Sequence, residues 1–285
     1  MLYVSDQSEL YGNAVDVFSL PQAKFVGHLS LDSSEILEGL CSDGAGNVWI
    51  LGWTTNGQAF YDKYAHGGAN PIGSIIASGI PNGCAVDAKT GDLAVANFVD
   101  YSVGRSAGDL AVYAGGQGQA TDYDGNTIKH YYYCAYDDKG NLFADGDNSA
   151  FNELPKGSSS VRNLYLDHKI TPGSLQWDGK YISVVALGGS KGPTRLDRLT
   201  FSGSNGQIAG TTILKTPGNY GTYLTVQFAV GDGSIVGPGG GDGGPARRLY
   251  VWPYPAGGMA KRSVTEGSYP NFYGVAFSAA AKGTR

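Results

Sequence analysis

The feature that most constrains this chain is a frame that recurs along it. Glu38-Gly39-Leu40-Cys41-Ser42-Asp43 leads through a turn into Gly46-Asn47-Val48-Trp49-Ile50. The frame returns as Asn82-Gly83-Cys84-Ala85-Val86-Asp87 with Gly91-Asp92-Leu93-Ala94-Val95. It returns again as Tyr132-Tyr133-Cys134-Ala135-Tyr136-Asp137 with Gly140-Asn141-Leu142-Phe143-Ala144. Each copy reads as a strand, a turn in which Gly supplies a left-handed residue, and a second strand. Looser copies run from Gly173-Ser174-Leu175 into Tyr181-Ile182-Ser183-Val184, and from Val226-Gln227-Phe228 into Ser234-Ile235-Val236. A last copy begins at Tyr273-Gly274-Val275-Ala276-Phe277-Ser278 and has no second strand before the C-terminus. Leu2-Tyr3-Val4, at the other end of the chain, fits that vacant place.

Third strands recur as well, at Ala14-Val15-Asp16-Val17-Phe18, Tyr61-Asp62-Lys63-Tyr64-Ala65, Asp109-Leu110-Ala111-Val112-Tyr113, Phe151-Asn152-Glu153-Leu154, Leu196-Asp197-Arg198-Leu199-Thr200 and Leu249-Tyr250-Val251-Trp252. Each precedes a turn and a fourth strand. Repeats of roughly 40 to 50 residues, each one small sheet, specify a ring of blades. The expected fold is all-β: a six-bladed β-propeller over residues 1–285 as one domain, with four antiparallel strands per blade. The last blade is closed by N-terminal strands beside the C-terminal inner strand. A sandwich would also use many short strands but has no reason to repeat. The 45 glycines and 19 tyrosines suit a protein of many tight turns.

Composition narrows the function. The net charge is −5 and no basic run exceeds a pair, which leaves no nucleic-acid footprint. No run of 18 apolar residues is long enough for a membrane-spanning helix. The sequence opens directly on a strand, without a leader peptide. Low Lys and high Tyr, Gly and Ser favour an extracytoplasmic protein whose leader lies outside this sequence, with a cytosolic location as the alternative. Cys41, Cys84 and Cys134 fall on different inner strands and read as small buried residues. Cys84 and Cys134 hold the same place in their repeats, a full blade apart, too far for a disulfide.

The turn frame Asp137-Asp138-Lys139-Gly140-Asn141-Leu142-Phe143 resembles those of NHL-repeat and SMP-30/gluconolactonase-like six-bladed propellers. The turns Tyr64-Ala65-His66-Gly67-Gly68 and Leu154-Pro155-Lys156-Gly157-Ser158 resemble those of uncharacterised bacterial extracytoplasmic propellers. The resemblance implies a ligand site at one mouth of the central channel. By repeat alignment, the residue five before the turn Asp enters the channel: Glu38, Asn82, Tyr132, Gly173, approximately Val226, and Tyr273. Calcium-dependent hydrolases of the SMP-30 kind carry an inner-strand Glu-Gly pair with Asn and Asp ligands from other blades. Glu38-Gly39 matches that pair and Asn82 offers a second oxygen, so calcium is the one cofactor the resemblance implies. Tyr132 and Gly173 stand where further ligands would be needed, and no central Asp is evident. The other reading of Glu38 is a carboxylate hydrogen-bonded to strand ends.

Further candidates cluster near the same mouth. Lys129-His130-Tyr131-Tyr132-Tyr133 leads into the channel; strand alternation puts Tyr131 and Tyr133 on one side and Tyr132 on the other. His130 is a candidate general base, and Tyr131 and Tyr132 are candidates for stacking a sugar or aromatic ligand. Asp145 and Asp147 could hydrogen-bond a polyol or a cation, or cap their own backbone. Asp122-Tyr123-Asp124-Gly125-Asn126 resembles the opening of a calcium loop, but Tyr133 stands where the closing acid belongs. The Gly-rich 237–244 stretch reads as a lid or linker. Arg105 and Lys191 lie in mouth-face loops where they could meet an anion. His28, His66 and His168 have no evident partner, and no nucleophile elbow is present.

The expected function is a ligand-binding or scaffold propeller that takes a small molecule or glycan at the Glu38/Asn82/Tyr132/Tyr273 mouth. The alternatives are a calcium-assisted lactonase, esterase or phosphotriesterase, with Glu38 and His130 as catalytic groups and Glu38 and Asn82 as metal ligands, and a protein–protein interaction platform.

Overall fold

The computed structural model describes residues 1–8, 13–20, 22–31, 35–101, 106–186, 194–217, 227–239, 247–265 and 270–279. The repeated Asp explains why the same local structure forms again and again. Asp43 accepts the amides of Ala45 and Asn47, Asp137 those of Lys139 and Asn141, and Asp178 those of Lys180 and Tyr181, all at 2.7–2.9 Å. Asp87 takes the Lys89 amide in the same way. An Asp that caps its own turn fixes the hairpin and therefore the register of the apolar strands on either side.

Four sheets hold four strands each. The first orders Phe272–Phe277, Leu2–Asp6, Ala14–Ser19 and Lys24–Ser30; the second Glu35–Ser42, Val48–Thr54, Gln58–Tyr64 and Pro71–Ser78. The third orders Ile80–Val86, Leu93–Val99, Leu110–Tyr113 and Ala120–Tyr123, and the fourth Ala229–Gly231, Ser234–Gly239, Arg248–Pro253 and Arg262–Val264. A nine-stranded sheet holds the rest. One antiparallel set in it runs Tyr131–Tyr136, Leu142–Gly146, Phe151–Leu154 and Arg162–Leu166. The other runs Pro172–Trp177, Ile182–Ala186, Arg195–Ser202 and Asn205–Lys215. They join where Tyr165 and Leu166 pair in parallel with Asn205 and Gly206, and Gly258–Met259 pairs in parallel with Leu214 and Lys215 at the other end of the Asn205–Lys215 strand.

This joining departs from the expectation of separate four-stranded sheets. The 11-residue outer strand Asn205–Lys215 runs up to its neighbour's open edge, and the Tyr165 amide bonds Ser204 O at 2.8 Å. An unpaired edge accepts whatever strand reaches it.

Apolar clusters fill the gap between each sheet and the next. Tyr3, Val15 and Val17 of the first sheet meet Leu40, Ile50 and Phe60 of the second. Trp49 and Tyr61 meet Val95 and Tyr113, and Ala96 meets Tyr131 and Leu142. Phe143 meets Val184, Leu196 meets Trp252, and Val236 meets Val4 and Val275, which returns to the first sheet. The circle of faces is closed, and the architecture is a β-propeller. Leu2 pairs with Phe277 as the chain-end frames predicted. Ser278 binds the junction: its amide bonds Met1 O at 2.8 Å, and its hydroxyl meets His66 Nδ1 at 2.6 Å. That contact gives His66 the partner its sequence position did not suggest.

The cysteine reading needs correction. Cys41 and Cys84 form a disulfide with Cα atoms 5.6 Å apart, and Cys134 is the buried free thiol. Successive strand residues face opposite neighbouring blades. Leu40, Cys84 and Cys134 share a repeat position, and each packs backwards against the preceding sheet. Cys41 is offset by one position, packs forwards, and so meets Cys84.

Candidate functional site

Each well-aligned inner strand carries one extra residue at its mouth end. Register shifts fall between Leu37 and Leu40, Pro81 and Gly83, Tyr131 and Cys134, and Pro172 and Leu175, and opposite Val4 and Asp6 at Tyr273-Gly274. A bulge re-aims a side chain out of the ladder. The bulged positions hold Glu38, Asn82, Tyr132, Gly173 and Tyr273, the residues that repeat alignment assigned to the channel. Val226 lies outside the described residues. The bulges also bring backbones close: a Cβ on Gly39 would lie 2.5 Å from Asn82 O, and one on Gly83 2.7 Å from the Tyr133 ring.

Ser5 and Gln227 secure the bulged backbone. Ser5 Oγ donates to Glu38 O at 3.0 Å and accepts the Gly274 amide at 2.6 Å. Gln227 Oε1 accepts the Leu40 amide at 2.8 Å and the Val275 amide at 3.3 Å, while its Nε2 donates to Leu40 O at 2.6 Å. Neither residue stood out in the sequence, because each works on a strand other than its own.

Glu38 is 8% exposed and accepts the Trp53 indole N–H at 2.9 Å. Burial lifts its carboxyl to about 7, although hydrogen bonds from Trp53 and Tyr273 pull the other way. Tyr273 in turn bonds Tyr133, and Tyr133 bonds the Asn82 side chain. Burial, with Glu38 next in effect, pushes the Tyr273 hydroxyl up, and burial does the same to Tyr133. A hydrogen-bonded relay thus crosses the channel from Asn82 through Tyr133 and Tyr273 to Glu38 and Trp53. Asn82 Nδ2 also donates to Tyr132 O at 2.9 Å.

Asp145 is fully buried, and its Oδ1 accepts the Tyr133 amide at 2.9 Å. It satisfies the donor that the bulge frees; its Oδ2 has no partner, and burial holds the carboxyl well above the usual range. Asp147 Oδ1 accepts the Lys129 amide at 3.0 Å, and its Oδ2 lies 3.2 Å from His130 Nδ1. The His130 ring stacks on Phe98 at 4.6 Å, and Phe98 stacks on Tyr132 at 5.9 Å. Tyr132, Phe98 and His130 are half-buried and form an aromatic platform.

Tyr131 lies elsewhere. It is fully buried in the core with Ala94, Cys134 and Leu142, whereas Tyr133 packs in the next gap with Phe143 and Leu175. The bulge between them breaks the alternation that would have kept the two rings on one side.

The donor set does not suit the implied calcium. Among the described residues no three His, Cys, Asp or Glu side chains converge to hold a metal ion. Glu38 faces two hydrogen-bond donors, and a calcium ion needs six to eight oxygens. Asp122 is exposed, on the outer strand Ala120–Tyr123, away from any such set. Arg105 and Lys191 lie outside the described residues.

The comparisons bear on the scaffold. Over 98% of its length the chain superposes on 99% of a chain in a nidogen/laminin complex, with TM-score 0.68 and 12% identity. A protein of unknown function from Bacteroides caccae gives 0.67 and 13% identity, covering 97% of this chain and 98% of that one. The β-propeller domain of Cps50 (Swd1) from Myceliophteria thermophila gives 0.59 and 12%, covering 93% and 83%. The likeness is one of fold. No family model and no curated protein matches the sequence. At 12–13% identity the likeness establishes the β-propeller fold and carries no residue of the mouth.

Proposed function

We propose that this chain is a six-bladed, extracytoplasmic propeller, one domain over 1–285, that binds a small ligand at the Glu38/Asn82/Tyr132/Tyr273 mouth. The observation that carries the reading is the repeated bulge, which takes equivalent positions of successive inner strands out of the ladder and leaves Asn82, Tyr132 and Tyr273 partly exposed. Counting the nine-stranded sheet as two blades, divided at its parallel seam, supports six. The Asp-capped turns support kinship with the NHL and SMP-30-like group. The Cys41–Cys84 disulfide supports an oxidising compartment.

The residues at the mouth orient a ligand rather than attack it. Tyr132, Phe98 and His130 offer ring faces, Asn82 an amide, and Glu38 and Tyr273 a carboxyl and a hydroxyl. Without a fitting metal site, the calcium-assisted hydrolase has no step to derive. Intrinsic fluorescence titrated with sugars, polyols and amines tests the reading, since Trp53 and Tyr273 belong to the site. Tyr132→Ala should cut affinity for a bound compound at least tenfold while the melting temperature stays within a few degrees. Unchanged affinity in that variant overturns the mouth as the site.

A protein partner on the rim is a second reading. The edge strand Pro71–Ser78 exposes Ile72 and Ile76 on one face, and the nidogen/laminin structure is a protein complex.

A further inference from the structure

Among the described residues the polar lining of the mouth is one-sided in charge. Glu38 and Asp147 supply carboxyls; Trp53, Phe98, Tyr132 and Tyr273 supply aromatic surface. Among the described residues no Lys or Arg pairs with Glu38, whose partners are the Trp53 indole and the Tyr273 hydroxyl. His130, the one basic ring at the platform, already faces Asp147. Asp145 sits behind Tyr133, fully buried, with one carboxyl oxygen unpartnered. A buried carboxyl beside electron-rich rings, with no cation of its own, is half of an ion pair. Aromatic faces attract ammonium groups, Trp most strongly.

We propose that the ligand of the mouth is an organic cation, its ammonium group set against the Glu38 carboxylate and its alkyl shell against Trp53, Tyr273 and Tyr132. The inference rests on the mouth being the binding site and adds the chemical class of what binds there. A metal ion is a poor alternative, because the carboxyls do not converge as a coordination shell. An alkylammonium needs no shell: one carboxylate and two or three ring faces suffice.

The arrangement has a proton consequence. Burial lifts the Glu38 carboxyl to about 7, pushes the Tyr273 and Tyr133 hydroxyls above their ordinary range, and holds the Asp145 carboxyl well above the usual carboxylate range. A cation that binds the ionised form of Glu38 must displace its proton. Affinity should then be about tenfold higher at pH 8 than at pH 6, and near one proton should be released at pH 6.

Titration calorimetry with tetramethylammonium and putrescine, at both pH values and in two buffers of different ionisation enthalpy, measures affinity and proton release together. The expected result is binding that tightens with pH in the wild type. Glu38→Gln should bind more weakly and lose the pH dependence. Tyr132→Leu should bind more weakly and keep it. Neutral inositol and glucose form the control arm. Binding of these, abolished by Tyr132→Leu, with no heat from either cation, would keep the mouth as a site and overturn the cation. Cation binding that Glu38→Gln leaves unaltered would overturn it too.

Discussion

Glu38 couples the mouth to the stability of the fold. Its carboxyl rises from an ordinary 4.5 to about 7 because burial disfavours the charge. A raised carboxyl means that the native state holds the proton more tightly than the unfolded chain. The associated stability is fully present below about pH 4.5 and is lost as pH climbs through 7, an effect of at most about 3 kcal/mol. Asp109, also lifted to about 7 by burial despite its bond from Asn97, acts with the same sign. Melting temperature should therefore fall between pH 5 and pH 8.5, and Glu38→Gln, which keeps an acceptor for Trp53, should flatten part of that fall. An unchanged slope in the variant would place the titration elsewhere. At this scale the sequence revealed the residues that occupy repeated positions: Glu38, Asn82, Tyr132 and Tyr273. Trp53, Phe98, Ser5 and Gln227 were illegible, because each reaches the mouth from a strand or position that the repeat does not mark.

Between residue and ring stands the inner strand, whose alternation decides what meets across a gap. Cys84 and Cys134 were rightly separated, since both face backwards, but Cys41 faces forwards and the offset of one residue makes the pair. Pattern matching aligns like with like, whereas contact between blades needs unlike positions. The one-residue offset has a direct test. Ala85 holds the Cys41 position in the next repeat and packs in the same cluster as Cys134. Ala85→Cys should form a second inter-blade disulfide, so that alkylation after unfolding finds no thiol where the wild type yields Cys134. A variant with two free thiols would show that the repeat parity is misassigned. Removing the native bridge with Cys84→Ser frees a 43-residue separation in the unfolded chain and should cost about 2–4 kcal/mol in denaturant unfolding. The bulges teach the same lesson. Alternation placed Tyr131 and Tyr133 together, and one extra residue sent them into different gaps.

The ring as a whole depends on a join that the chain does not make covalently. Leu2, Tyr3 and Val4 are at most 1% exposed, and they hydrogen-bond between Phe272–Phe277 and Ala14–Ser19. That closure could be inferred from the missing second strand of the last copy, whereas the parallel seam at Tyr165 and Leu166 could not, because it depends on how far an outer strand extends. Burying a Leu, a Tyr and a Val contributes roughly 1.5–3 kcal/mol each, a sum comparable to the whole stability of an ordinary domain. Deleting residues 2–6 should therefore abolish cooperative unfolding. A permuted chain is the informative partner experiment. Joining residue 279 to Met1 through a short flexible linker, with new ends at the exposed turn before Gly118, keeps every strand and moves only the break. If closure by pairing is what matters, the permutant should melt within a few degrees of the parent while the deletion does not fold. A deletion that unfolds cooperatively near the parent's temperature would mean that the remaining blades hold the ring without the strand between the two ends, and the closed circle would lose its claim to organise the channel.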